Sequence, residues 1–312
     1  MPLSLRAQAL LDMVYRVGAP RFHELSVEQA RHSFRKLQFA FGPSSPPVGS
    51  AEDVAMVRTD GAVLPGRLYR PIGSQEDERL PLLIYFHGGG WCVGDIESHD
   101  GLCRELANGS GWAILSVGYR LAPENPFPAA VEDAIFSIEW AADQAPLLSI
   151  DPARIAVGGD SAGGNLSIVS ALLARERGTV ALRLMLLIYP STEIFCDRPS
   201  GRRFGQGYLL DRESLEWFYA RYLPEGAGAD WRASPLLAPS LAGLPPILLV
   251  TAECDPLTDS CVAFAQRVES EGGQVEQLAV DGVVHGFITL GKIFPEAGHV
   301  LAHIAGRLRA VG

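Results

Sequence analysis

The chain has 312 residues, 47% of them hydrophobic and 20% charged, with a formal net charge of −10. That balance excludes a disordered chain, and the acidity argues against a nucleic-acid partner, because phosphate binding calls for clustered Lys and Arg. No apolar run approaches the roughly 20 residues of a transmembrane helix, so no stable membrane insertion is expected.

Met1–Arg16 lacks a basic stretch, a long apolar core and a small-residue cleavage site, which makes the cytoplasm the default expectation. The five cysteines, Cys92, Cys103, Cys196, Cys254 and Cys261, are odd in number and show no C-x-x-C spacing. They read as buried thiols rather than as a disulfide framework or a zinc site.

In chain order, Leu10, Met13, Val14 and Val17 share one helical face, and Val27, Ala30, Phe34 and Leu37 share another. Ser26 with Gln29 three positions on is a capping box that starts the second helix. Pro43, Pro46 and Pro47 among serines stop it and set a boundary near residue 48. Strand-like runs follow at 54–58, 67–70, 80–86, 113–117, 154–157, 182–189, 247–251 and 274–280, with helical stretches between them. Most of the later runs are almost continuously apolar, as strands covered on both faces should be. The pattern predicts an α/β fold with a mostly parallel, doubly wound sheet of eight strands.

The connection between 189 and 247 is unusually long. It carries a helix through Leu215, Phe218, Tyr219 and Tyr222, with Asp211 as its cap. Joined with the N-terminal helices, it reads as a helical cap over the sheet's C-terminal edge. The expected organisation is therefore cap in 1–48 and 195–234, and core in 49–194 and 235–312.

The chemistry-bearing segments lie at the ends of these strands. Gly158-Gly159-Asp160-Ser161-Ala162-Gly163-Gly164 is a tight turn between a strand and a helix, the form of a nucleophile elbow. Residues two positions either side of such a serine collide, so Gly159 and Gly163 are needed. Ser161 projects at the helix N-terminus, where unpaired N–H groups favour developing negative charge. The spacing fits neither a dinucleotide loop nor a P-loop.

His87-Gly88-Gly89-Gly90-Trp91 directly follows the strand at 80–86, where unshielded N–H groups can face an oxyanion. Gly88, Gly89 and Ala162 are the expected oxyanion hole, and His87 is read as a packing or hydrogen-bonding residue.

A serine hydroxyl also needs a base and an orienting carboxylate. After the strand at 247–251 come Glu253, Asp255 and Asp259, and after the strand at 274–280 comes His285. Asp255 is preferred because Pro256 ends the strand there, with Glu253 and Asp259 as alternatives. His299 and His303, four apart on a C-terminal helix, have no third ligand nearby, so no metal is assigned.

Together the words His87–Trp91, Tyr119-Arg120-Leu121-Ala122-Pro123-Glu124, Pro126-Phe127-Pro128-Ala129-Ala130, Gly159–Gly164, Asp255-Pro256-Leu257 with Asp259, and His285-Gly286-Phe287 resemble the hormone-sensitive-lipase-like bacterial esterases. They span most of residues 80–290. The resemblance implies an α/β-hydrolase fold, a lid from the N-terminus and the long insertion, no metal or organic cofactor, and hydrolysis of short- to medium-chain acyl esters. In the family the Asp255-Pro256-Leu257 stretch carries the triad acid. The substrate partner is then a small-molecule ester, and the family's edge-strand or helix dimers admit a homodimer. Two alternatives remain open. One is a non-catalytic ligand-binding protein on this scaffold, a fate in which the triad histidine tends to be lost. The other is an amidase or lactonase using the same triad.

Overall fold

The first two helices, α1 (Leu5–Arg16) and α2 (Val27–Phe41), form where the apolar spacing places them. Ser26 Oγ accepts from Gln29 N at 3.2 Å while Gln29 Oε1 accepts from Ser26 N at 3.0 Å, so the capping box closes in both directions. After the prolines come strands β1 (Ser50–Val57), β2 (Val63–Arg70) and β3 (Leu80–Phe86), helix α3 (Asp100–Ser110), β4 (Ala113–Val117), α4 (Ala129–Asp143), β5 (Ile150–Asp160), α5 (Ala162–Arg177) and β6 (Leu182–Ile188). Then follow α6 (Pro199–Phe204), α7 (Arg212–Tyr222), β7 (Ile247–Cys254), α8 (Thr258–Ser270), β8 (Val275–Val284) and α9 (Pro295–Val311). The computed structural model describes residues 3–195 and 197–312, so Cys196 lies outside the described residues.

Among the described residues, eight strands form one sheet in the order β1-β2-β4-β3-β5-β6-β7-β8. The β1–β2 and β2–β4 pairs are antiparallel and every other pair is parallel. Alternation along each central strand splits the core in two. Leu82, Ile84 and Phe86 of β3 pack with Ala134 of α4, Leu172 of α5 and Phe264 of α8. Leu83 and Tyr85 point the other way, to Leu106 of α3 and Ile304 of α9. Because both faces are covered, β3 and β4 are buried along their whole length. That explains their unbroken apolar sequence.

Two strands run further than their composition suggests. Gly158 and Gly159 read as a turn, yet they stay in β5, paired with Tyr85 and Phe86 on one side and Leu186 and Leu187 on the other. A Cβ on Gly158 would lie 2.8 Å from Leu186 Cβ, so glycine here serves close strand approach. β8 likewise continues through Val283 and Val284, up to His285.

Residues ahead of β1 and those between β6 and β7 meet above the parallel strands' C-terminal ends. The Phe22 ring lies 5.0 Å from that of Phe218 in α7, and Arg21 Nη1 donates to Asp211 Oδ2 at 2.5 Å. As the sequence suggests, Asp211 caps α7, its Oδ1 accepting from Ser214 N at 2.8 Å. Cys92, Cys103 and Cys254 are buried free thiols, and Cys261 is buried with its Sγ 3.2 Å from Pro190 O. No helix among the described residues is long and apolar enough to cross a membrane.

Candidate active site

Ser161 sits on the sharp bend between β5 and α5 with φ 55°, a conformation that costs a non-glycine residue about 1–3 kcal/mol. The surroundings hold it there. Its N–H donates to Ile188 O at 2.9 Å, and its carbonyl accepts from Asn165 N and Ser191 N, each at 3.1 Å. The bend is so tight that a Cβ on Gly159 would lie 2.5 Å from Gly163 C, and one on Gly163 would lie 1.8 Å from Phe86 O. No larger residue fits at either position, which is the physical content of the G-x-S-x-G pattern.

The end of β8 delivers His285 to this bend, and the end of β7 delivers Asp255. His285 Nε2 lies 3.0 Å from Ser161 Oγ, and His285 Nδ1 lies 2.7 Å from Asp255 Oδ2. Asp255 is fully buried, and its second oxygen accepts from Leu257 N at 2.8 Å, so the carboxylate cannot swing away from the imidazole. The other two acids point elsewhere. Glu253 accepts from Gly282 N at 2.8 Å, and Asp259 accepts from Ser200 N of α6 at 2.7 Å. Tyr189, itself at φ 36°, packs its ring 4.6 Å from the His285 ring and 5.8 Å from that of Phe287, limiting tilt of the imidazole.

The glycine loop spends one of its N–H groups within the protein. Gly88 N donates to Asp160 Oδ1 at 3.0 Å, so this N–H is engaged and does not border the cavity where Ser161 lies. Gly89, Gly90 and Ala162 do border it, and the N–H groups of Gly89 and Gly90 donate to no acceptor among the described residues. The N–H groups left open on this loop are thus those of Gly89 and Gly90, whereas that of Gly88, expected among the donors, is taken up by Asp160. Space also constrains Gly90, where φ is +55° and an added Cβ would lie 2.4 Å from the Phe218 ring. Trp91 next to it stacks face to face on Tyr222 of α7 at 4.3 Å, tying the loop to the segment above it.

Asp160 is a residue that the sequence reading passed over. Its Oδ1 accepts from Tyr85 OH at 2.9 Å as well as from Gly88 N, and His99 Nε2 stands 3.2 Å away. Burial pushes its pKa up, but the adjacent His99 and the Tyr85 hydroxyl outweigh that and hold the carboxyl below the usual carboxylate range. The available signal was an acid ending an otherwise apolar strand, a place where a charge needs donors. His87 behaves as read. It stacks on Tyr119 at 4.2 Å, bonds Gly88 O through Nδ1 at 2.8 Å, and is held neutral with a pKa near 4, chiefly by burial and then by neighbouring His99. His303 of α9 bonds Glu276 Oε1 of β8 at 2.7 Å.

Above Ser161 opens a cavity of about 600 Å³. Its walls are mainly apolar and come from three sources: α1 and α2, the region of α7, and the strand ends. A serine, an imidazole and a buried carboxylate in hydrogen-bonded series beneath such a cavity make a site able to activate a hydroxyl for attack on an uncharged carbonyl.

The fold and the site's location define the class, and the comparisons agree. A family described as alpha/beta hydrolase fold matches residues 83–289, and the chain belongs to it, in its hormone-sensitive-lipase-like branch. An ethyl acetate hydrolase of Pseudomonas putida is 41% identical over 291 residues, covering 92% of this chain and 91% of the relative. A thermostable esterase from Pseudomonas putida superposes with a TM-score of 0.95 at 30% identity, covering 99% of this chain and 98% of the other. A hyperthermophilic esterase from Pyrobaculum calidifontis has a TM-score of 0.92 at 36% identity, with 99% of each chain covered.

Proposed function

We propose that the chain is a serine carboxylesterase that hydrolyses short- to medium-chain acyl esters through an acyl-enzyme intermediate. In this reading His285 Nε2 takes the proton from Ser161 Oγ as that oxygen attacks the ester carbonyl, while Asp255 orients the imidazole and stabilises its charged form. Charge developing on the carbonyl oxygen is met by the N–H groups of Gly89, Gly90 and Ala162, the last at the N-terminus of α5. His285 then gives the proton to the leaving alcohol. Water enters, loses a proton to His285, attacks the acyl carbon and releases the acid and Ser161.

Residues 1–48 and 195–234 act as the cap that closes the cavity over the ester and excludes bulk water. The observation that carries the reading is the unbroken Asp255–His285–Ser161 relay. A protein that only bound a ligand would have no use for it. Hydrolysis of p-nitrophenyl butyrate tests the assignment: Ser161→Ala should lower kcat by roughly 10⁵–10⁶. Near-normal turnover in that variant would refute it.

A further inference from the structure

The Tyr119–Glu124 segment, singled out by its sequence, has no part in the relay, yet it lies along the glycine loop. Tyr119 OH donates to His87 O at 2.7 Å, and Ala122 N donates to Trp91 O at 2.9 Å. Arg31 of α2 enters this seam. Its Nε donates to Cys92 O at 2.9 Å and its Nη2 to Ala122 O at 3.0 Å, while Nη1 and Nη2 grip the Glu124 carboxylate at 2.9 and 2.6 Å. One guanidinium thereby joins α2 to backbone on both sides of the seam, and Glu124 holds its plane in that orientation.

The backbone it holds belongs to the turn that carries the open donors. Gly89 O accepts from Cys92 N at 3.1 Å and from Val93 N at 2.9 Å, so the turn through Gly89 and Gly90 closes on residue 92. Arg31 fixes the carbonyl of that same residue. A shift of Cys92 must therefore move the Gly89 and Gly90 N–H groups, which the esterase reading assigns to the oxyanion. Arg31 is not among the described residues that line the Ser161 cavity, so it acts through this backbone and not on the substrate.

We infer that Arg31 is a positioning residue for the oxyanion donors, making their placement depend on α2 being seated against the core. The inference rests on the esterase reading of the Ser161 site.

Arg35, one turn further along α2, supplies the control. It pairs with the Asp95 side chain at 2.8 Å, and among the described residues it reaches no backbone carbonyl. The test measures hydrolysis of p-nitrophenyl butyrate beside inhibition by an alkyl trifluoromethyl ketone. Ser161 Oγ adds to the ketone carbon, its proton passes to His285, and the π pair of the carbonyl stays on oxygen as an oxyanion, so inhibition reads the donors with no leaving group involved. Arg31→Met should lower kcat by roughly 10–100-fold, the scale of a small misplacement up to that of a lost donor, with KM changed little and the inhibitor Ki raised by a similar factor. Arg31→Lys keeps the charge but cannot fork between two carbonyls and Glu124, and should lose roughly fivefold on both readouts. Arg35→Met should keep the kcat and Ki of the unaltered protein. Unchanged kcat and Ki in Arg31→Met, a loss confined to KM, a fall in kcat with Ki unmoved, or an equal loss in Arg35→Met overturns the inference and leaves the esterase reading standing. Should Arg31→Met not fold, Arg31→Lys decides by the same two readouts, and unaltered values there overturn the inference. Absence of ester turnover in the unaltered protein would overturn both.

Discussion

Asp160 brings together two loops that the chemistry needs side by side. It immediately precedes Ser161, and its carboxylate accepts from Gly88 N and Tyr85 OH. A Cβ on Gly88 would come within 2.2 Å of Asp160 Oδ2, so the glycine loop can lie this close only because position 88 has no side chain. Asp160→Ala removes the anchor without touching Ser161 or His285. If the anchor sets the donor geometry at Gly89 and Gly90, kcat should fall by about 10²-fold with KM changed little, the scale of losing one oxyanion donor. Steady-state kinetics on p-nitrophenyl butyrate would show it, and an unchanged kcat would refute the anchoring role. At this scale the sequence was legible where sterics act within a few residues: Gly159, Ser161 and Gly163 follow from the bend itself. The Gly88–Asp160 bond spans 72 positions and joins side chain to backbone. Spacing within one motif cannot express such a contact, which is why the engagement of Gly88 N by Asp160 was not legible.

Among the elements, α7 depends on one side chain for both its start and its attachment. Asp211 accepts from Ser214 N at the first turn and from Arg21 on the other arm of the proposed cap. Burial pushes its carboxyl up, but Ser214 and Arg21 hold it below the ordinary range. Asp211→Ala loses cap and ion pair together and should cost about 1–2 kcal/mol, whereas Asp211→Asn keeps the cap and should cost less. Urea unfolding gives the totals, and faster amide exchange across 212–222 and around residue 21 would locate the loss. Equal stability of all three proteins would contradict the role. The cap of α7 and the capping box of α2 were legible because both are contacts over three residues. The packing of Phe22 on Phe218 and of Trp91 on Tyr222 was not, because nothing local in a sequence says which distant aromatic rings will meet.

For the whole molecule, order along the sheet brings distant segments together: β3, β5, β7 and β8 each end at the same edge and each contributes a loop to the site. The strands themselves were readable from apolar runs, while the extension of β5 through two glycines was not, since glycine signals a turn unless a neighbour demands close approach. The buried centre also sets a pH dependence. His87 titrates near 4 in the folded protein against an ordinary 6.5, chiefly because it is buried. Between those values the unfolded chain binds a proton that the folded one refuses. Its contribution is therefore complete above about pH 6.5 and drains away as pH falls towards 4, on the order of 3 kcal/mol in all. Asp160 and Asp211, both depressed, add a further loss as pH falls below the ordinary carboxylate range. Stability from urea unfolding should thus be lower at pH 4.5 than at pH 7, and His87→Asn should flatten part of that slope. A pH-independent midpoint would refute this account.

The relay from Asp255 through His285 to Ser161 is what every functional statement rests on, and a fluorophosphonate probe interrogates it directly. Incubation followed by peptide mass spectrometry should find one adduct per chain, on Ser161. His285→Ala should slow its formation by about 10³-fold or more, because the hydroxyl then has no base. An adduct on another residue, or labelling as fast without His285 as with it, would contradict the assignment.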